Sequence, residues 1–184
     1  MVTLIIAGCG ALGSQIALHL AVPDRRFLLI DDDRVEEHNI GTSAYSLHHV
    51  GALKASVLAE LLWRKCEAQS ETNTRTLDRN YGFYAAGLII DTFDNVESRA
   101  LTRGYTTLHV GVSEQRTGAV TWDEDYTLPT SQYARGDNPI CTHHLGRRIL
   151  RFTAAVAAEA AERFLETGEK VSYVIPEPNR TLVL

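Results

Sequence analysis

Gly8-Cys9-Gly10-Ala11-Leu12-Gly13 directly follows the apolar run Val2-Thr3-Leu4-Ile5-Ile6-Ala7, and this junction decides the fold. A buried strand that turns through a G-x-G-x-x-G loop into a helix is typical of nucleotide-binding α/β domains. Gly8 suits the tight turn, Gly10 lets a phosphate approach the backbone, and Gly13 lets the helix pack against the strand. The motif alone does not identify the nucleotide, and it also fits a tight turn without a ligand.

The composition is that of an ordinary globular domain. The 184 residues are 45% hydrophobic and 22% charged, with a formal net charge of −5. Interspersed charges argue against a nucleic-acid or anionic-membrane surface, and no apolar stretch approaches the roughly 20 residues of a membrane span. The opening apolar run has no basic residue before it, so we interpret it as a strand and not as a secretory signal. The three cysteines form no C-x-x-C pair, so we expect no zinc, no disulfides and a cytoplasmic location.

Strand and helix patterns alternate along the chain. Short apolar strands interleaved with helices favour a doubly wound, mainly parallel α/β sheet with helices on both faces. We predict one domain over residues 1–184, with a nucleotide-binding core at 1–122, a long loop at 123–145, and a helix followed by an antiparallel edge pair at 146–184. The predicted helices are residues 14–21, 51–64, 96–103 and 146–165, and the predicted strands are 2–7, 27–31, 72–77, 88–91, 108–112, 118–122, 171–175 and 181–184.

A candidate ribose ligand ends the second predicted strand. Asp31 lies about 20 residues beyond the glycine loop, where a carboxylate accepts hydrogen bonds from ribose hydroxyls. Asp32 and Asp33 beside it also fit simple solvation at a strand end. To this point the pattern suits an NAD-dependent oxidoreductase as well as an ATP-dependent enzyme, although no proton-relay constellation for hydride transfer is evident.

Three further stretches resemble the motifs of a single family. Ile30-Asp31-Asp32-Asp33-Arg34-Val35-Glu36-Glu37-His38-Asn39-Ile40 resembles Asp-x-Asp-x-Val-Glu-x-x-Asn-Leu, and Val50-Gly51-Ala52-Leu53-Lys54-Ala55 resembles Val-Gly-x-x-Lys-Ala. Asp91-Thr92-Phe93-Asp94-Asn95-Val96-Glu97-Ser98-Arg99 resembles Asp-x-x-Asp-Asn-x-x-x-Arg. These are motifs of the ThiF/MoeB superfamily of ubiquitin-activating-enzyme-like adenylyltransferases. With the glycine loop they follow the family order over residues 2–112.

The resemblance implies a function and a set of site residues. It implies a Rossmann-like fold that binds Mg-ATP and adenylates the C-terminal glycine of a small β-grasp protein, either ubiquitin-like or a sulfur carrier. Lys54 matches the lysine that places positive charge on the phosphates, and Asp94 matches the catalytic aspartate that holds Mg²⁺. Asn95 also suits a helix cap, and Asp91 also suits a structural role at its strand end. The nucleotide-binding residues expected are Gly8, Gly10, Gly13, Asp31, Asp33, Asn39, Lys54 and Asn95.

One departure from the family pattern concerns positive charge. Where the family commonly reads Asn-Leu-Asn-Arg-Gln, this chain reads Asn39-Ile40-Gly41-Thr42-Ser43, so the expected arginine is missing. The chain also starts at its first strand, so we expect the family's N-terminal helices to be absent. Because pyrophosphate departure needs positive charge, we predict that a homo- or hetero-oligomer completes the site, with Arg147, Arg148 and Arg151 as candidate donors. The alternative is a catalytically weak nucleotide-binding or carrier-binding subunit.

A cysteine near the long loop is the remaining candidate. Cys141 precedes His143 and His144. Some relatives place a thioester-forming cysteine in this region, so the resemblance makes Cys141 a tentative catalytic residue that accepts the activated carboxylate. The alternative is a half-buried cysteine before a helix, and Cys9 is expected to pack as a small apolar residue.

Overall fold

The structure is a computed structural model, and it describes residues 2–78, 80–83, 87–113, 116–129 and 146–176. Cys141 and the predicted strand at residues 181–184 lie outside these residues. The helices are α1 (Ala11–Leu20), α2 (Lys54–Cys66), α3 (Val96–Leu101) and α4 (Gly146–Thr167). The strands are β1 (Thr3–Ala7), β2 (Arg26–Ile30), β3 (Gln69–Asn73), β4 (Leu88–Asp91), β5 (Thr107–Val112), β6 (Gly118–Trp122) and β7 (Tyr173–Ile175).

The strands of the described residues form one sheet, in the order β3-β2-β1-β4-β5-β6-β7. Strands β1 to β5 are parallel to their neighbours, whereas β6 and β7 add antiparallel pairs at the edge. The predicted mainly parallel sheet with antiparallel strands at its C-terminal edge is therefore confirmed. The strand order reverses between β1 and β4. Such a reversal opens a crevice at the carboxyl ends of the strands, where doubly wound domains bind ligands.

Helices cover both faces of the sheet. The larger apolar core lies between the sheet and α1, α2 and α4, while a smaller one contains Phe83 and partly buried Leu101 of α3. Helix α4 packs along α1 through small side chains. The buried alanines of α4 are Ala154, Ala157, Ala158, Ala160 and Ala161. The alanine-rich pattern thus serves a close contact within the chain.

Helices α1 and α4 run in the same direction. At their C-terminal ends Arg25 pairs with Glu162 at 2.5 Å and donates to the Leu20 carbonyl at 2.7 Å. At the other end, Arg147 of α4 lies against Gly41, in a loop whose next residues are bonded to α1. The N-termini of both helices therefore lie at the carboxyl edge of the parallel strands.

Several predicted boundaries differ from the observed ones; α1, for example, begins at Ala11 and not at residue 14. Two of the differences have identifiable reasons. Helix α2 begins at Lys54 and not at residue 51, because Gly51 has φ +88° and its N–H bonds to the Val35 carbonyl at 2.8 Å. Strand β3 occupies Gln69–Asn73 and not residues 72–77, because Asn73 lies opposite the last residue of β2, Ile30. Within the described residues no helix is both long and apolar enough to span a bilayer.

Candidate nucleotide-binding site

The glycine loop connects β1 to α1, and its three glycines have different structural roles. Gly8 has φ +93°, a conformation that disfavours other residues. A Cβ on Gly13 would lie 1.9 Å from the Gly8 carbonyl oxygen, so this position has no room for a side chain. A Cβ on Gly10 would meet nothing within 4 Å. The tight turn and close packing predicted for Gly8 and Gly13 are thus visible, and Gly10 leaves its backbone open to a ligand.

Asp31 fastens the glycine loop to the end of β2. One carboxylate oxygen accepts the Cys9 N–H at 2.6 Å, and the other accepts the Asp33 N–H at 2.9 Å. Burial raises the pKa of Asp31, although the charge of Lys54 and these two hydrogen bonds act against the increase. Each carboxylate oxygen keeps a further lone pair, so Asp31 can still accept a ribose hydroxyl while it holds the loop.

Lys54 is the cation at the centre of the carboxyl edge. Its Nζ lies 3.0 Å from an Asp33 carboxylate oxygen, and its side chain is only 12% exposed. Partial burial would lower the pKa of Lys54, but the nearby charges of Asp31, Asp33 and Asp94 outweigh burial and raise it. Lys54 is therefore an ammonium at neutral pH. The structure brings together these four charged residues, which the sequence places at the starts or ends of different elements.

Tyr45 and Ser14, which no sequence motif singles out, hold this arrangement in place. The hydroxyl of buried Tyr45 donates to the Cys9 carbonyl at 2.5 Å and lies 3.2 Å from the Lys54 carbonyl. The Ala44 N–H donates to Ser14 Oγ of α1 at 3.0 Å. Burial raises the pKa of Tyr45 well above its ordinary range, so its hydroxyl stays protonated. A lone tyrosine in an irregular stretch gives no sequence signal for such a role.

Asp94 and Asn95 follow β4 at the same edge. Asp94 is exposed, and one of its oxygens accepts the Asn95 side-chain N–H at 3.3 Å. Asn95 caps α3 by accepting the Ser98 N–H at 2.8 Å, as the alternative interpretation of this residue expects. An exposed carboxylate with hard oxygen atoms suits Mg²⁺, which keeps several water ligands and is bound through one or two carboxylates and substrate phosphates.

Asp31, Asp32 and Asp33 form a second group of carboxylates. One oxygen from each lies within 4.8 Å of the others. Asp31 is already bonded to two backbone N–H groups, and Lys54 neutralises Asp33. The group is therefore compensated by protein atoms, and Asp94 remains the better candidate for a metal ligand.

The loop from Asn39 to Ser43 borders the site. The Asn39 side-chain oxygen accepts the Glu36 N–H at 2.9 Å, and its carbonyl accepts the Ser43 hydroxyl at 2.7 Å. These bonds give Asn39 a turn-forming role. The guanidinium of Arg147 reaches this loop from α4 of the same chain, whereas Arg148 and Arg151 are exposed.

A buried charge network underlies the end of β4. Asp91 is fully buried, and one of its oxygens lies 2.7 Å from Nδ1 of His109. Nε2 of His109 lies 3.0 Å from Asp123, and the Tyr126 ring stacks on the imidazole with centroids 3.7 Å apart. Arg99 lies 3.6 Å from Asp91. This geometry favours the structural interpretation of Asp91, because one of its oxygens accepts the Phe93 N–H and the other is bonded to Thr102 and His109.

The network predicts an acid-sensitive contribution to stability. Partial burial of Asp123 acts to raise its pKa, but hydrogen bonds from His109 and Gly104 and the charge of Arg103 together lower it below its ordinary value. Asp123 therefore stabilises the fold at pH values above the pKa of an unfolded aspartate, and the contribution is lost as the pH falls through its folded pKa. We expect Asp123→Asn to cost about 2 kcal/mol at pH 7 and to flatten the acid side of the stability curve. Urea unfolding between pH 2.5 and 7 measures this, and parallel curves for both proteins would contradict it.

The comparisons with known proteins agree with this geometry. The ThiF family profile matches residues 2–110, which contain the glycine loop, Asp31, Lys54 and Asp94. The chain belongs to the ThiF family. The family membership inferred from the motifs is thereby confirmed. No curated protein matches the sequence of this ThiF-family chain.

Solved structures share the fold at low sequence identity. MccB from E. coli, crystallised with MccA-N7isoASN, superposes with a TM-score of 0.67 and 15% identity over 99% of this chain and 66% of MccB. The structure of E. coli MccB with ATP superposes with a TM-score of 0.67 and 16% identity, and the match covers 99% of this chain and 64% of MccB. The structure of selenomethionine PaaA superposes with a TM-score of 0.64 and 16% identity, and the match covers 96% of this chain and 64% of PaaA. The ThiF-family chain therefore spans just under two thirds of the length of these proteins, and the likeness establishes the fold.

Proposed function

We propose that this chain binds Mg-ATP at the carboxyl edge of its sheet and adenylates the C-terminal carboxylate of a small partner protein. The substrate class is a β-grasp ubiquitin-like or sulfur-carrier protein ending in glycine. The observation that carries the proposal is the convergence of Gly10, Asp31, Lys54 and Asp94 at the ends of β1, β2 and β4 in a ThiF-family chain. The structural neighbour MccB supports it, since its solved structures include one with ATP and others with MccA.

The proposed reaction joins two anions, and the site residues offset their repulsion. A carboxylate oxygen of the partner attacks the α-phosphorus of ATP, and a new P–O bond forms. The bond to the β-phosphate oxygen breaks, and pyrophosphate leaves with its electron pair. Lys54 supplies a fixed positive charge, held at the site by Asp33 and by its position at the start of α2. Preorganised charge of this kind stabilises the transition state without reorganisation.

The remaining residues orient the nucleotide and the metal ion. In this proposal Asp31 accepts a ribose hydroxyl, the open backbone at Gly10 faces the phosphates, and Asn39 lies at the border of the site. Asp94 would hold Mg²⁺. The bound ion would neutralise charge on the phosphates and on the leaving pyrophosphate.

The test is pyrophosphate exchange into ATP that depends on a carrier. The carrier is a small β-grasp protein ending in glycine, chosen from genes beside the one encoding this chain, and the matched control is the same carrier with a C-terminal amide. We expect exchange with the free carboxylate and none with the amide. ATP binding without exchange would instead favour a catalytically weak binding subunit. Tighter binding of NAD than of ATP would favour an oxidoreductase.

Cys141 enters this proposal only after adenylation. If its thiolate accepts the activated acyl group, a thioester to the carrier forms and AMP leaves. Cys141→Ala is then expected to retain pyrophosphate exchange and to lose a thiol-sensitive adduct with the carrier. Cys66→Ala is the matched control, since Cys66 donates to the Leu62 carbonyl within α2. Gel mobility with and without thiol measures the adduct. An adduct that persists in Cys141→Ala removes this residue from the reaction.

A further inference from the structure

An arginine from α4 lies against the loop that borders the candidate site. A Cβ placed on Gly41 would lie 2.8 Å from Nη2 and 2.9 Å from Cζ of Arg147. Gly41 also has φ +89°, which glycine adopts without cost. Glycine at this position thus leaves the space that the guanidinium occupies.

The arrangement of the helices places the Arg147 guanidinium at the carboxyl edge of the sheet, where the phosphates of ATP would bind. Arg147 lies in the first turn of α4, whose N-terminus lies beside that of α1. The loop that it touches is joined to α1 by the bond from the Ala44 N–H to Ser14. It continues to Tyr45, whose hydroxyl bonds to the carbonyl of Cys9 in the glycine loop. The loop from Gly41 to Tyr45, held by these hydrogen bonds, therefore connects Arg147 to the place where a phosphate would approach Gly10.

The hydrogen-bonding capacity of Arg147 is incompletely used. Its Nε is buried and has no hydrogen-bond partner among the described residues. The Nε atom of Arg103 is likewise without a hydrogen bond, but it lies 2.6 Å from the Asp123 carboxylate, and Arg25 lies 2.5 Å from Glu162. Arg147, by contrast, has no carboxylate partner among the described residues. A guanidinium whose Nε donor has no partner in the described part of the chain is suited to an anion, because its planar fork matches phosphate oxygens.

We propose that Arg147 is a phosphate-binding residue of this site and that it comes from the same chain as Lys54 and Asp94. The inference rests on the proposed function, since the anion is the phosphate chain of ATP. Lys54 is largely compensated by Asp33, so the departing pyrophosphate needs a second positive charge. Arg147 supplies it from α4. The structure thus offers a donor within the chain, where the sequence alone predicts one from a partner subunit.

The test compares ATP with adenosine as ligands of the full chain, using calorimetry in the presence of Mg²⁺. We expect Arg147→Ala to weaken ATP binding about tenfold or more and to leave adenosine binding unchanged, because adenosine has no phosphate. Arg147→Lys keeps the positive charge but not the planar guanidinium, so its ATP affinity should lie between those of the parent protein and Arg147→Ala. Arg64→Ala is the matched control, since Arg64 is an exposed arginine in the last turn of α2, far from the start of that helix at the site. Thermal unfolding of each variant checks that the fold is intact.

The results distinguish failure of the proposed role of Arg147 from failure of the proposed function. If the parent protein binds ATP and Arg147→Ala binds it equally well, the role of Arg147 is wrong and the proposed function stands. If the parent protein binds no ATP, both fail. Donation within one chain also requires an ATP affinity that does not change with protein concentration. An affinity that improves as chains associate by sedimentation would show a donor from a partner and overturn the inference.

Discussion

Gly13→Ala is expected to destabilise the chain by about 3 kcal/mol or more, whereas Gly10→Ala is expected to fold normally. A methyl group on Gly13 would lie 1.9 Å from the Gly8 carbonyl oxygen and 2.7 Å from Thr92 Oγ1. Gly8 cannot move away easily, because its N–H bonds to the Ile30 carbonyl at 2.9 Å and its oxygen accepts the Thr92 hydroxyl. The clash is with backbone, so no side-chain rotation relieves it.

Gly10→Ala provides the matched comparison within the same loop. Its Cβ would meet no protein atom within 4 Å, and its φ of −75° is negative, although its ψ of −147° lies outside the main helical and extended regions. We expect a change of about 1 kcal/mol or less in the free energy of unfolding. Because the methyl group would project into the space left for a phosphate, ATP binding should weaken about tenfold or more. Urea unfolding and calorimetry of both variants measure these effects. Equal stability of the two variants would contradict the packing account of the loop.

Asp94→Ala is expected to reduce carrier-dependent pyrophosphate exchange about a hundredfold or more while leaving the fold intact. Asp94 is exposed and follows a strand, so it contributes little to the core. Its loss would remove the proposed magnesium ligand and the charge that helps to fix Lys54. Circular dichroism and urea unfolding should match those of the parent protein.

Glu60→Ala is the control for Asp94→Ala, because Glu60 is an exposed carboxylate on α2 that pairs with Arg64 at 2.5 Å. It should retain full exchange. A higher magnesium concentration should restore pyrophosphate exchange in part in Asp94→Asn, which keeps one oxygen ligand. The restoration should be smaller in Asp94→Ala. Exchange by Asp94→Ala at the parent rate would exclude Asp94 from the proposed site.

The sequence predicted the sheet because its signals there are local. The apolar runs at residues 2–7 and 88–91 and the glycines of the loop determine strands and a turn whatever surrounds them. Their order along the chain then favours a parallel sheet with a crevice at its carboxyl edge. Asp31, Lys54 and Asp94 lie at that edge, and their role in nucleotide binding stays a prediction.

What the sequence could not predict depends on tertiary contacts. Tyr45 becomes a bridge only because the loop folds back over Cys9, and Arg147 reaches Gly41 only because α4 runs parallel to α1. The buried pairing of Asp91 with His109 likewise requires neighbouring strands. Residues distant in sequence carry no pattern for these contacts, so the sequence alone indicates a partner subunit as the source of the missing positive charge.

The most direct test of the central claim is the thermal stabilisation of the full chain by nucleotides. The melting temperature is measured with ATP and Mg²⁺, and in parallel with NAD at the same concentration. A ligand that binds only the folded state adds RT ln(1 + L/Kd), where L is the free ligand concentration, to the free energy of unfolding, so at equal concentration the tighter ligand gives the larger shift. We expect a larger shift with Mg-ATP than with NAD, and loss of most of that shift in Lys54→Ala. A larger shift with NAD, or no shift with either nucleotide, would contradict an ATP site at this edge.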